Sequence, residues 1–377
     1  MQTARCYVEI SRSRIASNYR AVCAAVCPGT EVMGVVKADA YGHGSVEVSR
    51  VLTKEGARWL AVSSVEEGIV LRRAGIDCRI LVMAGVMPWE RNALREHRLT
   101  PAIHSLAELA DFGNSNSGKD DGELLDVHLK IDTGLNRLGA RASEREIVAA
   151  IQAAHGVRIE GLMSHFASAA DFISQQTEEQ IQSFDRIAAA LADAGIRPPL
   201  THCAGTNAIA YLRPGAAKTM VRPGHAIYGY VSPARGHAPH AAFQVEPALS
   251  WKTHIVTVKD IPARAKVGYG GSFVAPAPMR IAVLAAGYAD GIPHQLANKG
   301  RVIAGGKFAP ILGAVSMDLT TIDISASTHL RPGDEVTLLG REGDISLDAH
   351  QIARTAKTIS YNLLCGISAR VRRCYVD

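Results

Sequence analysis

The sequence predicts an α/β architecture: an N-terminal (β/α)8, TIM-like barrel over residues 11–236, followed by a mostly-β domain over 237–377. Three observations predict it. Between residues 12 and 230, short apolar runs rich in β-branched residues alternate with segments of helical period. Eight such runs are present, the number that closes a parallel barrel. Past Ser232–His240, a Pro- and Gly-containing stretch that reads as a linker, the texture changes to alternating strands separated by Gly/Pro turns.

The barrel runs, in order, are Val32–Val36, Trp59–Val62, Ile80–Met83, Leu99–Ile103, Leu125–Ile131, Ile159–Ser164, Leu200–Ala204 and Thr219–Val221. Between them Val65–Ala74, Glu144–Ala154 and Thr177–Ala194 carry apolar residues at three- and four-residue spacing. Gly75, Gly156 and Gly195 mark their ends. In the second domain Trp251–Val258, Arg280–Ala285, Arg301–Ala304, Leu319–Ile324 and Glu335–Leu339 read as strands. One helix is expected over Leu347–Ile359 and a last strand over Ala369–Val376, with residues 1–10 as a strand joining the same domain.

Composition narrows the function classes. Hydrophobic residues make up 47% of the 377 and charged residues 20%, enough apolar surface for a sizeable core. The net charge of +5 comes from 41 basic residues interleaved with 36 acidic ones, with no Lys/Arg block that would track nucleic acid. No apolar run reaches bilayer length, and the start carries no signal core, so a cytoplasmic protein without a membrane partner is expected. Seven scattered cysteines form no Cys-x-x-Cys pair, and Cys23 and Cys27 lack neighbouring histidines; free thiols and no metal site are expected.

A barrel of this kind places its chemistry at the C-terminal ends of its strands. The first run ends in Lys37, within Val35-Val36-Lys37-Ala38-Asp39-Ala40-Tyr41-Gly42-His43-Gly44. A lysine closing an apolar strand is partly desolvated, which favours the neutral amine that Schiff-base chemistry needs. Position alone also fits a lysine reaching from a strand end to solvent. The fifth run places His128, Lys130 and Asp132 on one face, where an internal Lys130–Asp132 ion pair is the simpler reading. The sixth run leads to Ser164-His165-Phe166, the seventh to His202-Cys203-Ala204-Gly205-Thr206-Asn207, and the eighth to Arg222-Pro223-Gly224-His225. Gly205 with Thr206, and Gly224 with His225, supply loop N–H groups after strands seven and eight, where barrels bind phosphate.

These residues resemble the alanine racemase family. The stretch 35–44 is similar to its cofactor-lysine signature, and the resemblance continues through Lys130–Gly139, Ser164–Phe166 and Val221–Gly229. It extends to Val267–Gly270, Gly287–Gly291, Val315–Asp318 and Ile359–Gly366, in the family's order and at about its spacing. The resemblance implies pyridoxal 5'-phosphate as cofactor, with Lys37 as the lysine that holds it and Tyr269 as the second acid/base, supplied across a homodimer interface. It assigns Tyr41, Thr206 and Tyr361 hydroxyls and the Gly224 and His225 N–H groups to the phosphate, and Arg222, oriented by His165, to the pyridine nitrogen. Arg137 and the Met317 backbone would meet the substrate carboxylate, Tyr288 would line the entrance, and Lys130 would support Arg137 as a carbamate. The implied reaction is interconversion of L- and D-alanine, supplying D-alanine for peptidoglycan.

Two positions depart from the family pattern. His294 stands where an entrance arginine is common, and His225 where a branched apolar residue is usual. Both bear on substrate range, so a serine or broader-specificity racemase is the nearest alternative. A barrel-fold decarboxylase would need a carboxylate where Arg222 stands. A non-catalytic cofactor carrier would resemble the barrel alone, without the domain that carries Tyr269.

Overall fold

The computed structural model describes residues 4–116 and 124–377. They form two compact units. One holds residues 15–40 and 45–246; the other holds the chain up to Arg14, Tyr41–Gly44 and Pro247–Asp377.

In the first unit seven parallel strands form one sheet: Gly34–Val35, Trp59–Val62, Arg79–Val82, Thr100–Ile103, Leu125–Lys130, Val157–Met163 and Leu200–His202. An eighth, Met220–Val221, pairs in parallel with Glu31–Val32, immediately upstream of the first. The Arg222 N–H donates to the Ala204 carbonyl at 2.9 Å and ties the eighth strand to the seventh. The ring of strands thus closes on itself. The first apolar run is split in two because its halves serve different neighbours: Met33 N–H donates to Val221, whereas Val36 N–H donates to Ala61. Barrel closure requires such a stagger between strands. Leu60, Ile80, Leu81, Leu129 and Leu162 are fully buried among these strands.

The helices start where polar side chains can cap them. Ser64 Oγ accepts from Glu67 N–H at the start of Val65–Arg73, and Ser143 forms a capping box with Glu146 at the start of Glu144–Ala153. The helix Gln176–Asp193 buries Ile181, Phe184, Ile187 and Leu191 along one face, and Gly195 at φ 79° follows it.

The second unit is built around the long strand Leu249–Ile261. Its first seven residues alternate between buried and partly exposed, as a strand with one core face must. It pairs antiparallel with Cys6–Ser11, Met279–Leu284 and Glu335–Glu342. Cys6–Ser11 pairs on its other side, in parallel, with Arg372–Val376. The helix expected over Leu347–Ile359 is present but shorter, Ala349–Thr355, following the strand Ile345–Leu347; a second helix, Ser360–Cys365, follows it outside the expected range. Asp348 and Gln351 cap the first helix reciprocally, and Lys357 at φ 56° breaks the chain direction behind it. Helical periodicity registered the apolar positions but not this left-handed residue.

The loop after the fifth barrel strand is tightly specified. Ala140 N–H donates to Lys130 O at 2.8 Å, and Asp132 N–H to Ala140 O at 3.1 Å. Gly139 sits at φ 129°, and a Cβ there would lie 2.6 Å from Asp132 N and 2.8 Å from Ile131 C. Both neighbours are backbone and cannot move aside. Gly139→Ala is therefore expected to cost about 2 kcal/mol or more, read as a lowered midpoint in urea unfolding.

Candidate active site

Each sequence-predicted group of the first unit lies at or just beyond the C-terminal end of a barrel strand. Lys37 follows the first strand and opens a turn in which Ala38, Asp39, Ala40 and Tyr41 all have positive φ, between 50° and 55°. Four successive non-glycine residues in the left-handed region cost roughly 1–2 kcal/mol each. The surroundings hold them there. The two carboxylate oxygens of Glu67 accept from Ala38 N–H at 2.7 Å and Ser63 N–H at 2.6 Å. Asp39 accepts from Ser45 N–H at 2.7 Å. This turn is what aims Lys37, and the sequence reading missed Glu67; its signal was the Ser64-x-x-Glu67 spacing of a helix start.

Arg222 is the centre of the site. It is buried, 4% exposed, and among the described residues no carboxylate lies within ion-pair distance of it. Its Nη1 donates to His202 Nδ1 and, at 2.8 Å, to His202 O. Its Nη2 donates to Ser164 O at 2.6 Å, His165 Nδ1 at 3.3 Å and Cys203 O at 3.3 Å. Burial lowers the guanidinium pKa to about 10, so it remains charged at neutral pH. Its Nε–H finds no acceptor among the described residues. A charged donor left open in this way suits a neutral ring nitrogen, which can only accept.

His165 is pushed down to about 3, first by desolvation and then by the positive field of Arg222, Lys130, Arg137 and Lys37. It is a neutral imidazole that accepts from Arg222. Lys130, 5% exposed, is lowered to about 8 by burial and then by Arg137 and Arg222. The Lys130–Asp132 ion pair that the alternation suggested is absent among the described residues. Asp132 instead accepts from Gly134 N–H at 3.1 Å and Asn136 N–H at 3.0 Å, holding the loop from which Arg137 projects, exposed. The strand ends at Lys130, so Asp132 no longer follows its alternation.

Thr206 Oγ1 accepts from Gly224 N–H at 3.2 Å and Ala226 N–H at 3.1 Å. Its own O–H is thereby left to donate outward. The segment Thr206–Ala210 begins at Gly205 without a side-chain cap. A hydroxyl donor and uncapped N–H groups form a donor set that fits a phosphate monoester. The His225 side chain does not point to solvent: it is buried, and its ring stacks on Tyr230 with centroids 5.0 Å apart. The departure from an apolar residue is accommodated by that stacking.

The remaining sequence-predicted residues lie in the second unit. Tyr41 and Tyr361 lie with ring centroids 5.9 Å apart, and burial followed by Tyr361 raises the Tyr41 hydroxyl pKa, keeping it a neutral donor. Tyr269 stands 79% exposed on a Gly-rich turn between the paired strands Lys266–Val267 and Phe273–Val274. Met317 carbonyl accepts from Ala289 N–H at 3.0 Å, while its own N–H has no acceptor among the described residues. Tyr288 and His294 meet edge to face at 6.4 Å. Two further residues, unread in the sequence, fix these loops. Asp290 accepts from Gly287 N–H at 2.8 Å, and Arg370 bridges Asp290 at 2.9 Å and Asp318 at 2.6 Å.

Comparison with known proteins bears directly on this arrangement. The family model for the alanine racemase N-terminal domain matches residues 10–233, and that for the alanine racemase C-terminal domain matches 248–375. The alanine racemase of Halothermothrix orenii is 37% identical over 370 residues, which cover 98% of this chain and 96% of the relative. The crystal structure of alanine racemase from Streptomyces lavendulae superposes with a TM-score of 0.91 at 31% identity, covering 100% of this chain and 98% of that one. Alanine racemase from Bartonella henselae, solved with covalently bound pyridoxal phosphate, superposes with a TM-score of 0.87 at 26% identity, covering 99% of this chain and 100% of that one. The chain belongs to the alanine racemase family, a family of pyridoxal-phosphate-dependent isomerases.

Proposed function

We propose that this protein interconverts L- and D-alanine by a two-base mechanism in which Lys37 and Tyr269 act from opposite faces of the cofactor. The observation that carries the reading is Arg222: a buried guanidinium, facing no carboxylate, with its Nε–H unclaimed. Lys37 would hold pyridoxal phosphate, which would supply an electron sink that makes the substrate α-proton acidic; Lys37 Nζ is a base only once the substrate amine has taken its place.

Lys37 Nζ takes or returns the α-proton on one face, and Tyr269 Oη of a second copy does so on the other. The exposure of Tyr269 on a rigid Gly-rich turn supports its service to a partner rather than to its own core. Thr206, Tyr41 and Tyr361 hydroxyls with the His225 N–H would hold the phosphate, and the Gly224 N–H, which donates to Thr206 Oγ1, would share its hydrogen with it. Arg137 and the Met317 N–H receive the substrate carboxylate, and Tyr288 lines the access route. Arg222, oriented by His165, holds the ring nitrogen without protonating it, since a guanidinium that ionises near pH 10 gives up no proton at neutral pH. The weakened sink limits side reactions such as transamination. The working form is a cytoplasmic homodimer that supplies D-alanine for peptidoglycan. Among the described residues no helix is long and apolar enough to cross a membrane.

Chiral chromatography of L-alanine and L-serine incubated with the holoenzyme tests the proposal. Rapid D-alanine and slow D-serine formation is expected, with loss of about a thousandfold or more in Lys37→Ala. Comparable conversion of serine would assign broader specificity and direct attention to His294. Tyr269→Phe is expected to lose roughly a hundred- to ten-thousandfold in kcat while retaining the cofactor absorbance. Unchanged turnover would remove Tyr269 from the mechanism.

Lys130 is read as a carbamate. Its pKa near 8 leaves a substantial fraction of neutral amine above pH 7, and carbamylation replaces a third clustered cation with an anion that pairs with Arg137. Protein equilibrated with 13C-bicarbonate is expected to show a carbamate carbon signal that disappears in Lys130→Gln. The signal should grow as pH rises through 8, because only the unprotonated amine reacts.

A further inference from the structure

The barrel interior contains a run of polar groups that the proposed chemistry leaves unused. It begins at Arg222, whose Nη1 donates to His202 Nδ1. His202 Nε2 lies 2.8 Å from His128 Nδ1. His128 Nε2 has no hydrogen-bond acceptor at normal distance; the nearest charged group is the Glu160 carboxylate, 3.7 Å away. Glu160 pairs with Arg79 at 2.6 Å, and Arg79 reaches Asp126 at 3.3 Å, so the run ends in a charge cluster. Both histidines are fully buried. Burying two imidazoles costs stability unless their nitrogens are used.

One group dictates where every proton in this run sits. A guanidinium has donors only. His202 Nδ1 must therefore present a lone pair to Arg222, which places the His202 proton on Nε2. That N–H points at His128 Nδ1, which must in turn be the acceptor. The His128 proton is left on Nε2, aimed at the Glu160 carboxylate. The opposite pair of tautomers would set an imidazole N–H against the Arg222 cation. Burial lowers the pKa of both rings; at His202 the Arg222 charge adds to it, whereas at His128 the Glu160 carboxylate opposes it in part and the net shift is still downward.

The backbone is shaped around this run. Between the fifth and sixth barrel strands the register slips: Val127 pairs with Ile159, but His128 pairs with Gly161. Glu160 is the extra residue of a β-bulge, a device that re-aims a side chain. Gly161 is also required, because a Cβ there would fall 2.5 Å from His128 Cγ. On its other side His128 meets the Trp59 ring at 5.2 Å, and Arg79 covers that indole at 4.6 Å.

We infer that His128 and Glu160 are positioning residues that act on Arg222 through His202, by locking both imidazoles in the Nε2–H tautomer and so keeping His202 Nδ1 a permanent acceptor for the guanidinium. Arg222 is thereby held at one orientation toward the cofactor ring. The effect on turnover rests on the racemase reading; the tautomers do not, since Arg222, His202 and His128 are in place whatever the substrate.

The test is two-bond 1H–15N correlation spectroscopy on the holoenzyme labelled with 15N-histidine, at pH 7, with assignment by His128→Asn and His202→Asn. Both rings are expected to carry a proton on Nε2 and none on Nδ1. An Nδ1–H tautomer or a doubly protonated ring at either position overturns the inference. In Glu160→Gln the His128 Nε2 resonance should shift while its proton stays on Nε2, because Arg222 still fixes the tautomer through His202 and only the carboxylate facing that N–H is lost; an unchanged resonance would remove Glu160 from the run. Turnover separates positioning from packing. His128→Leu keeps an apolar filler but no acceptor, and should lower kcat roughly tenfold with KM for L-alanine within about twofold. His128→Asn restores an oxygen near the Nδ1 position and should recover most of that loss. Equal loss in both variants, or none in either, reduces His128 to a packing residue. If the protein turns over no amino acid, the spectra alone decide.

Discussion

The site depends on one interaction: a buried guanidinium satisfied by carbonyls and neutral imidazoles instead of a carboxylate. Arg222 is held by the carbonyls of Ser164, His202 and Cys203 and by the rings of His165 and His202. Carbonyls and neutral rings solvate the charge without cancelling it. An unpaired buried cation is expensive, and the barrel meets that cost by converging three strand ends on one residue. The uncancelled charge then sets the state of its neighbours. Added to the larger effect of burial, it keeps His165 neutral and helps lower the pKa of Lys130.

A second constraint acts around Lys37. Ala38 through Tyr41 lie in the left-handed region, where L-residues do not settle unaided. Glu67 offsets that strain by accepting from two backbone amides with one carboxylate, and Asp39 ties the turn forward to Ser45. The strain places the Lys37 chain direction at the strand mouth and then diverts the backbone at once. On its far side, Gly42 packs against the Leu364 carbonyl, where a Cβ would come within 2.4 Å, and Arg373 donates to the Gly42 carbonyl at 3.2 Å. The same stretch of chain thus carries Lys37 and a glycine with no room for a side chain.

The second unit presents Tyr269 and Met317 at its surface. Tyr269 is carried by a turn in which Gly268, Gly270 and Gly271 all have positive φ, on a short hairpin that leaves the tyrosine exposed. The Arg370 bridge between Asp290 and Asp318 fixes two loops at once, the one bearing Tyr288 and the one bearing Met317. Rigid support of loops that carry polar groups is what a site needs when the groups themselves are exposed.

The sequence alone determined the order and type of the elements and which residue ends each strand. Those are local properties: period-2 and period-3.6 patterning, turn residues, and a lysine, two histidines and an arginine at the ends of apolar runs. It could not decide partners. Alternation put Asp132 beside Lys130, but the strand stops at Lys130 and the carboxylate turns to its own loop. The apolar spacing of Leu347–Ile359 read as one helix, but Lys357 adopts a conformation that spacing does not encode. His128 was visible as a polar residue on a barrel face, yet its place beside His202 and Glu160 depends on a one-residue slip between strands. Registers, bulges and hydrogen-bond partners arise only when segments distant in the chain meet, because a buried polar group takes whichever partner closure brings within reach.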